Sequence, residues 1–184
     1  MAISSVMLAL NTEAPSFSLT DAVSGRVMSL DELASDTATV VMFICNHCPY
    51  VKHVNAGMAS IANDYTPRGI SFVAISANDP SQYAEDAPEN MKKVAEKEGW
   101  SFPYLFDESQ ETARAYSAAC TPEFYVFDGD RKLVYRGQFD DSRPNDGKPV
   151  TGSDVRAALA AILSGKPVSD NQIASIGCGI KWKR

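Results

Sequence analysis

Two cysteines, Cys45 and Cys48, stand with only Asn46 and His47 between them in VVMFICNHCPYVKH. Two intervening residues let the second sulfur reach the first and close a small ring. One thiolate can attack a disulfide, and its neighbour can then resolve the mixed disulfide that forms. His47 adds an ionisable group that, when protonated, favours the thiolate. The pattern points to Cys45 as nucleophile, Cys48 as resolving cysteine and His47 as the residue that tunes the pair. No cofactor is needed, because the electrons sit on the two sulfurs. Zinc is the rival reading: Cys45, Cys48, His47 and His53 are neighbours in sequence, and Cys120 or Cys178 would complete the set. A structural zinc site usually carries a second CxxC or an HxxxH pair, and neither is present, so no metal is assigned.

The elements that must hold this motif are legible around it. Thr39–Ile44 is a nearly continuous apolar, β-branched run, suited to a strand buried on both faces. Val51, Val54, Met58, Ile61 and Tyr65 then recur at the spacing of one helical stripe, with Pro49 in the tolerated first turn. Cys45 therefore ends a strand, and the unpaired amides of the following helix are expected to point at it and favour its thiolate. Gly69 leads into a second buried strand, Ile70–Ile75, which makes a βαβ unit with a parallel crossover.

Upstream, residues 1–36 read as loop-rich, with a hairpin around Gly25-Arg26 and a helical turn at Leu30–Ala34. Downstream, Asp86 as N-cap, Pro88, Glu89 and Gly99 signpost a second helix. Phe102–Phe106 reads as a short strand, Ser109–Ser117 as helix, and Glu123–Phe127 with Lys132–Arg136 as a hairpin across Asp128-Gly129-Asp130. A polar loop, Asp140–Ser153, precedes a last helix capped by Ser153. The order belongs to an α/β fold, a mixed central sheet flanked by helices, with an N-terminal hairpin and an insertion near 77–108.

Bulk properties bound the function. A chain of 184 residues, 45% hydrophobic, supports one domain spanning 1–184. A net charge of -6 disfavours nucleic acid as a partner. No apolar run approaches the roughly 20 residues that cross a bilayer, so no membrane association is expected. The segment MAISSVMLALNTEAP lacks a basic region and a long apolar stretch, so it reads as mature sequence with a cytoplasmic address. In that compartment structural disulfides are rare, and a CxxC reads as catalytic or metal-binding.

FICNHC after a buried strand, followed later by Cys120-Thr121-Pro122, resembles the thioredoxin superfamily. EAPSFSLTDAVSGRVMSLDEL resembles the lead-in of its AhpC/TSA-type redoxin branch. LVYRGQFDDSRP, GKPVTGSDVRAAL and SIGCGIKW are similar to a peroxiredoxin-like subgroup of that branch. The resemblance implies a thioredoxin-like fold and thiol–disulfide oxidoreduction, with protein or small-molecule disulfides as substrates and a reductase as electron donor. It also implies that Pro122 is cis, and that Thr121 and Pro122 bind the substrate backbone beside the CxxC. The local residues alone would give an ordinary trans proline at a strand start.

The chain departs from that pattern at named positions. Ile44 stands where thioredoxins carry Trp, and Thr39 where they bury an aspartate. Val41 and Cys45 replace the Pro and Thr that precede a peroxidatic cysteine, although Cys48-Pro49 keeps the Cys-Pro step. An antioxidant thiol peroxidase using Cys48, and a non-catalytic binding module, are the alternatives to the oxidoreductase. Cys120 and Cys178 are candidate additional redox cysteines. Cys120 reads equally as a small packing residue, and Cys178 lies between two glycines that would confer mobility. His53 reads as solvent-facing, the Asp140–Arg143 loop as a solvated connector, and Trp100 and Trp182 as packing residues.

Overall fold

Six consecutive side chains, Ala38–Phe43, are buried because other elements cover both faces of their strand. In the computed structural model, which describes residues 2–184, the elements in chain order are β1 (Ala2–Ser4), β2 (Ser18–Asp21), β3 (Val27–Ser29), α1 (Leu30–Leu33), β4 (Ala38–Phe43), α2 (Pro49–Tyr65), β5 (Ile70–Ser76), α3 (Pro88–Glu98), β6 (Tyr104–Phe106), α4 (Glu111–Ala115), β7 (Cys120–Thr121), β8 (Glu123–Asp128), β9 (Leu133–Gly137), α5 (Ser153–Leu163) and β10 (Ile176–Gly179). Seven strands form a mixed sheet in the order β3-β2-β6-β5-β4-β8-β9, with β4, β5 and β6 parallel and β4–β8 and β8–β9 antiparallel. This is a thioredoxin-like architecture with β5 at its centre and β4 beside it. The segment 77–108 supplies α3 and β6, and β6 joins the parallel part of the sheet to the N-terminal hairpin.

Alternation along β4 divides the core. Val40 and Met42 face α2, α3 and α5, where Met58, Ile61, Met91 and Leu159 pack. Val41 and Phe43 face the other side, with Leu30, Ala113, Tyr116 and Tyr125. Burial of each large apolar chain on the α2 stripe is worth roughly 1.5–3 kcal/mol, which fixes how α2 is rotated on the sheet. That rotation sets where the first turn of α2 points, and so where Cys48 sits.

The elements differ from the sequence reading in three places. Ala87, not Asp86, is the N-cap of α3, and the buried Asp86 side chain turns toward the Cys45–Cys48 loop. Gly152 caps α5, and Ser153 is its first residue. A second sheet, β1-β10-β7, is new: residues 2–4 pair with 176–178 across nearly the whole chain length. Pairings between two- to four-residue strands so far apart in sequence leave no periodic trace. The glycines around Cys178 are strand residues. A Cβ on Gly177 would lie 1.9 Å from the Thr121 carbonyl oxygen, so Gly177 serves close backbone approach and not mobility.

Candidate active site

Three segments converge on the mouth of α2: the loop Cys45–Cys48, the loop ending at Asp86, and the Thr121-Pro122 step, whose peptide bond is cis. Cys45 is 1% exposed and Cys48 is 0% exposed. Thr121 touches both sulfurs. Its Oγ1 lies 3.3 Å from Cys45 Sγ, and its carbonyl oxygen lies 3.2 Å from Cys48 Sγ.

Asp86 organises the loop. It is 0% exposed, and its Oδ1 accepts from the backbone amides of Asn46 and His47 at 2.7 and 3.1 Å. Its Oδ2 accepts from Asn78 Nδ2 at 2.8 Å and from His47 Nδ1 at 2.6 Å. A carboxylate only accepts, so His47 carries its hydrogen on Nδ1, which is also 3.7 Å from Cys45 Sγ. Tyr83 stacks on the other side of the imidazole, with ring centroids 4.0 Å apart. Asn46 is pinned by Glu85 O and by Tyr104 Oη, at 2.6 and 3.1 Å. Sulfur, imidazole and carboxylate atoms of Cys45, His47 and Asp86 lie within 4.8 Å of one another, a spacing a metal ion could bridge. The four hydrogen bonds already made to Asp86 use that carboxylate as a scaffold instead.

The ionisation of each sulfur depends on the other. The hydrogen bond that Cys45 gives to Cys48 pushes the Cys45 thiol far above its ordinary value, and burial and the Asp86 carboxylate push the same way. That hydrogen bond draws Cys48 down to about 5, against burial, with help from the Cys178 thiol and the nearby Val51 amide. The Thr121 carbonyl would suit a protonated Cys48. The electrostatics favour charge on Cys48 over charge on Cys45, which faces the Asp86 carboxylate. α2 begins at Pro49 with Cys48 as N-cap, so the free amides lie nearer the second sulfur.

Residues 10–136 match the model of the AhpC/TSA family. The chain belongs to the AhpC/TSA family. It is 61% identical to an uncharacterized conserved protein from Geobacillus kaustophilus, covering 100% of this chain and 97% of that one with a TM-score of 0.98. A hypothetical protein from Sinorhizobium meliloti 1021 is 46% identical over 98% of each chain, with a TM-score of 0.95. A thiol:disulfide interchange protein of the thioredoxin family from Chlorobium tepidum shares the fold, at 21% identity, 84% and 98% coverage and a TM-score of 0.64. No curated protein matches the chain.

Within this AhpC/TSA framework the other candidate residues separate. Cys178, on β10, reaches the same cluster as Cys48. Cys120 points elsewhere, toward Glu123 Oε2 and Ser175 O at 4.0 and 3.9 Å. His53 is half-buried, not solvent-facing: its Nε2 meets Ser142 Oγ at 2.9 Å. It lines a small cleft of about 20 Å³ beside Pro122 together with Tyr50, Phe139, Ser142 and Arg143. The loop after β9 is no solvated connector either. Asp140 is buried and accepts from Ser142, Thr151 and Gly152, which staple the loop down. Trp100 and Trp182 pack, the latter under the Arg114 guanidinium. No helix is long and apolar enough to cross a membrane among the described residues. Asp86, Asn78, Asn46 and Tyr83 were missed as site residues, because Asp86-Ala-Pro-Glu reads locally as a helix start.

Proposed function

We propose that the protein is a thiol–disulfide oxidoreductase in which Cys45 attacks and Cys48 first acts as base and then resolves. The single observation that carries this reading is the placement of two buried sulfurs, two residues apart, both in contact with Thr121 at the cis Thr121-Pro122 step. Cys45 lies in the loop before α2 and Cys48 is the N-cap of that helix, and we assign the attack on an incoming disulfide to Cys45. As Cys45 attacks, its proton passes to the Cys48 thiolate, and one substrate sulfur leaves with the electron pair of the broken S–S bond. Cys48 then gives up that proton to the departing thiolate and attacks Cys45. The second substrate sulfur is released, and the protein is left as the Cys45–Cys48 disulfide. Two electrons have moved to the substrate, and an external dithiol must restore them.

Thr121 and Pro122 border the sulfurs and would receive the substrate backbone, while the His47–Asp86 pair orients the imidazole beside Cys45. Turnover of insulin disulfides by the reduced protein, abolished in Cys45→Ser, is the expected result. Wild-type protein with no such turnover would end the reading. Direction of flow follows from the couple's reduction potential. A value near the cytosolic glutathione poise, roughly -220 to -320 mV, fits a reductase.

One observation favours a second reading, a thiol peroxidase: Cys48 is the N-cap residue of α2, where the free amides of the helix start favour a thiolate. There Cys45→Ser would retain fast thiol loss to hydrogen peroxide. Rates no faster than free cysteine in the wild type would exclude it.

A further inference from the structure

The reaction above uses two of four sulfurs, and a third adjoins them. β7 pairs with β10 so that Thr121 lies opposite Cys178. The strands are pressed together: the space where a Gly177 Cβ would sit is filled by the Thr121 carbonyl. Cys48 Sγ lies against that carbonyl from the other side. One residue, Thr121, is thus in contact with Cys45 and Cys48 and is the strand partner of Cys178. Cys178 packs against the buried cluster that contains Cys48. Burial, and then the neighbouring Cys48, raise the Cys178 thiol to about 11. Cys178 is half-buried, whereas Cys45, Cys48 and Cys120 are buried.

We propose that Cys178 is a second resolving cysteine, which takes the disulfide from Cys45 and presents it to the reductant on the β10 side. The inference rests on the oxidoreductase reading and deepens it. Once Cys45 and Cys48 are joined, the Cys178 thiol loses its proton and attacks Cys48 Sγ. The Cys45–Cys48 bond breaks, its electron pair goes to Cys45, and Cys45 takes up a proton. The exchange is redox-neutral: one S–S bond forms as one breaks. A dithiol reductant then attacks Cys178, the least buried of the sulfurs, and a second thiol of that reductant closes its own disulfide. Cys48 leaves as the thiolate its surroundings favour. Substrate and reductant would therefore be served at different sulfurs of one continuous cluster. Cys120 is not part of it, since its thiol turns toward Glu123 and Ser175.

The test is disulfide mapping of the full chain. Cys45→Ser, treated with one equivalent of diamide, should lose two of its three remaining thiols and yield a peptide pair joined through Cys48 and Cys178. If all three thiols persist, or the link runs to Cys120, the proposal is overturned. Should that variant not fold, wild-type protein oxidised by limiting diamide and then alkylated serves instead. A Cys178-linked fragment with alkylated Cys45 supports the proposal, and only Cys45–Cys48 links overturn it. Cys178→Ser should slow steady-state reduction by a dithiol protein about tenfold, a loss of about 1.4 kcal/mol in transition-state stabilisation. Wild type that turns over insulin without any Cys178 link defeats this inference alone. Wild type that forms no Cys45–Cys48 bond defeats the oxidoreductase reading.

Discussion

Cys48 and Cys120 are both wholly buried thiols, one on each side of Thr121, and their surroundings drive them in opposite directions. Cys120 is left with burial and the neighbouring Glu123 carboxyl, and both keep it protonated, well above the ordinary thiol range. Cys48 bears the same desolvation, yet the Cys45 and Cys178 thiols and the start of α2 outweigh it. Burial by itself makes a cysteine inert, and burial among aimed donors makes it an anion. The two carboxyl groups differ in a parallel way. Asp86 accepts four hydrogen bonds and fixes a loop. Glu123 accepts from Ala119, Cys120 and Tyr125, and burial still leaves its pKa raised.

The strongest way to break this contrast is Cys45→Ser, which should remove disulfide turnover altogether, while Cys120→Ala should leave turnover unchanged. Next comes Asp86→Ala. It would orphan the Asn46 and His47 amides, each costing about 1–3 kcal/mol, and urea unfolding should show a loss of roughly 2–5 kcal/mol with turnover falling as the loop loosens. Asp86→Asn keeps an acceptor for the amides and should lose less.

The pH dependence sharpens the comparison. A lowered pKa keeps Cys48 ionised above about pH 5, so thiolate absorbance of the reduced protein should persist at pH 6 and fade only as pH drops through 5. An ordinary thiol would already be protonated there. A smaller effect is expected at Glu123. Its folded pKa is raised, so its contribution to stability is complete below the unfolded value, near 4.3, and is lost as pH rises through the folded one. Glu123→Gln should flatten that dependence and add up to about 1 kcal/mol at higher pH, measured by denaturation at several pH values. The least effect belongs to Cys120→Ala, with about 1 kcal/mol lost to a small cavity.

Much of this was readable locally. The β4–α2–β5 unit announced itself through a buried run, a helical stripe and Gly69, and those signals needed only neighbours in sequence. The cis Thr121-Pro122 step was accessible through resemblance and not through its own residues. Asp86 was misread because a capping signature and a buried scaffold acid look alike until the chain is folded. Asp140 was misread because a polar loop gives no sign that its carboxylate will gather Ser142, Thr151 and Gly152 beneath it. The β1-β10-β7 sheet, which brings Cys178 beside Cys48, joins ends of the chain that no window of sequence contains.

The amino-acid order alone determined that two sulfurs would stand two residues apart where a buried strand gives way to a helix, because spacing and periodicity are properties of the chain itself. Folding decided what surrounds those sulfurs and which third cysteine packs near them. A charge answers to whatever lies within a few ångströms, and here those neighbours come from Asp86, Thr121 and Cys178, remote along the chain.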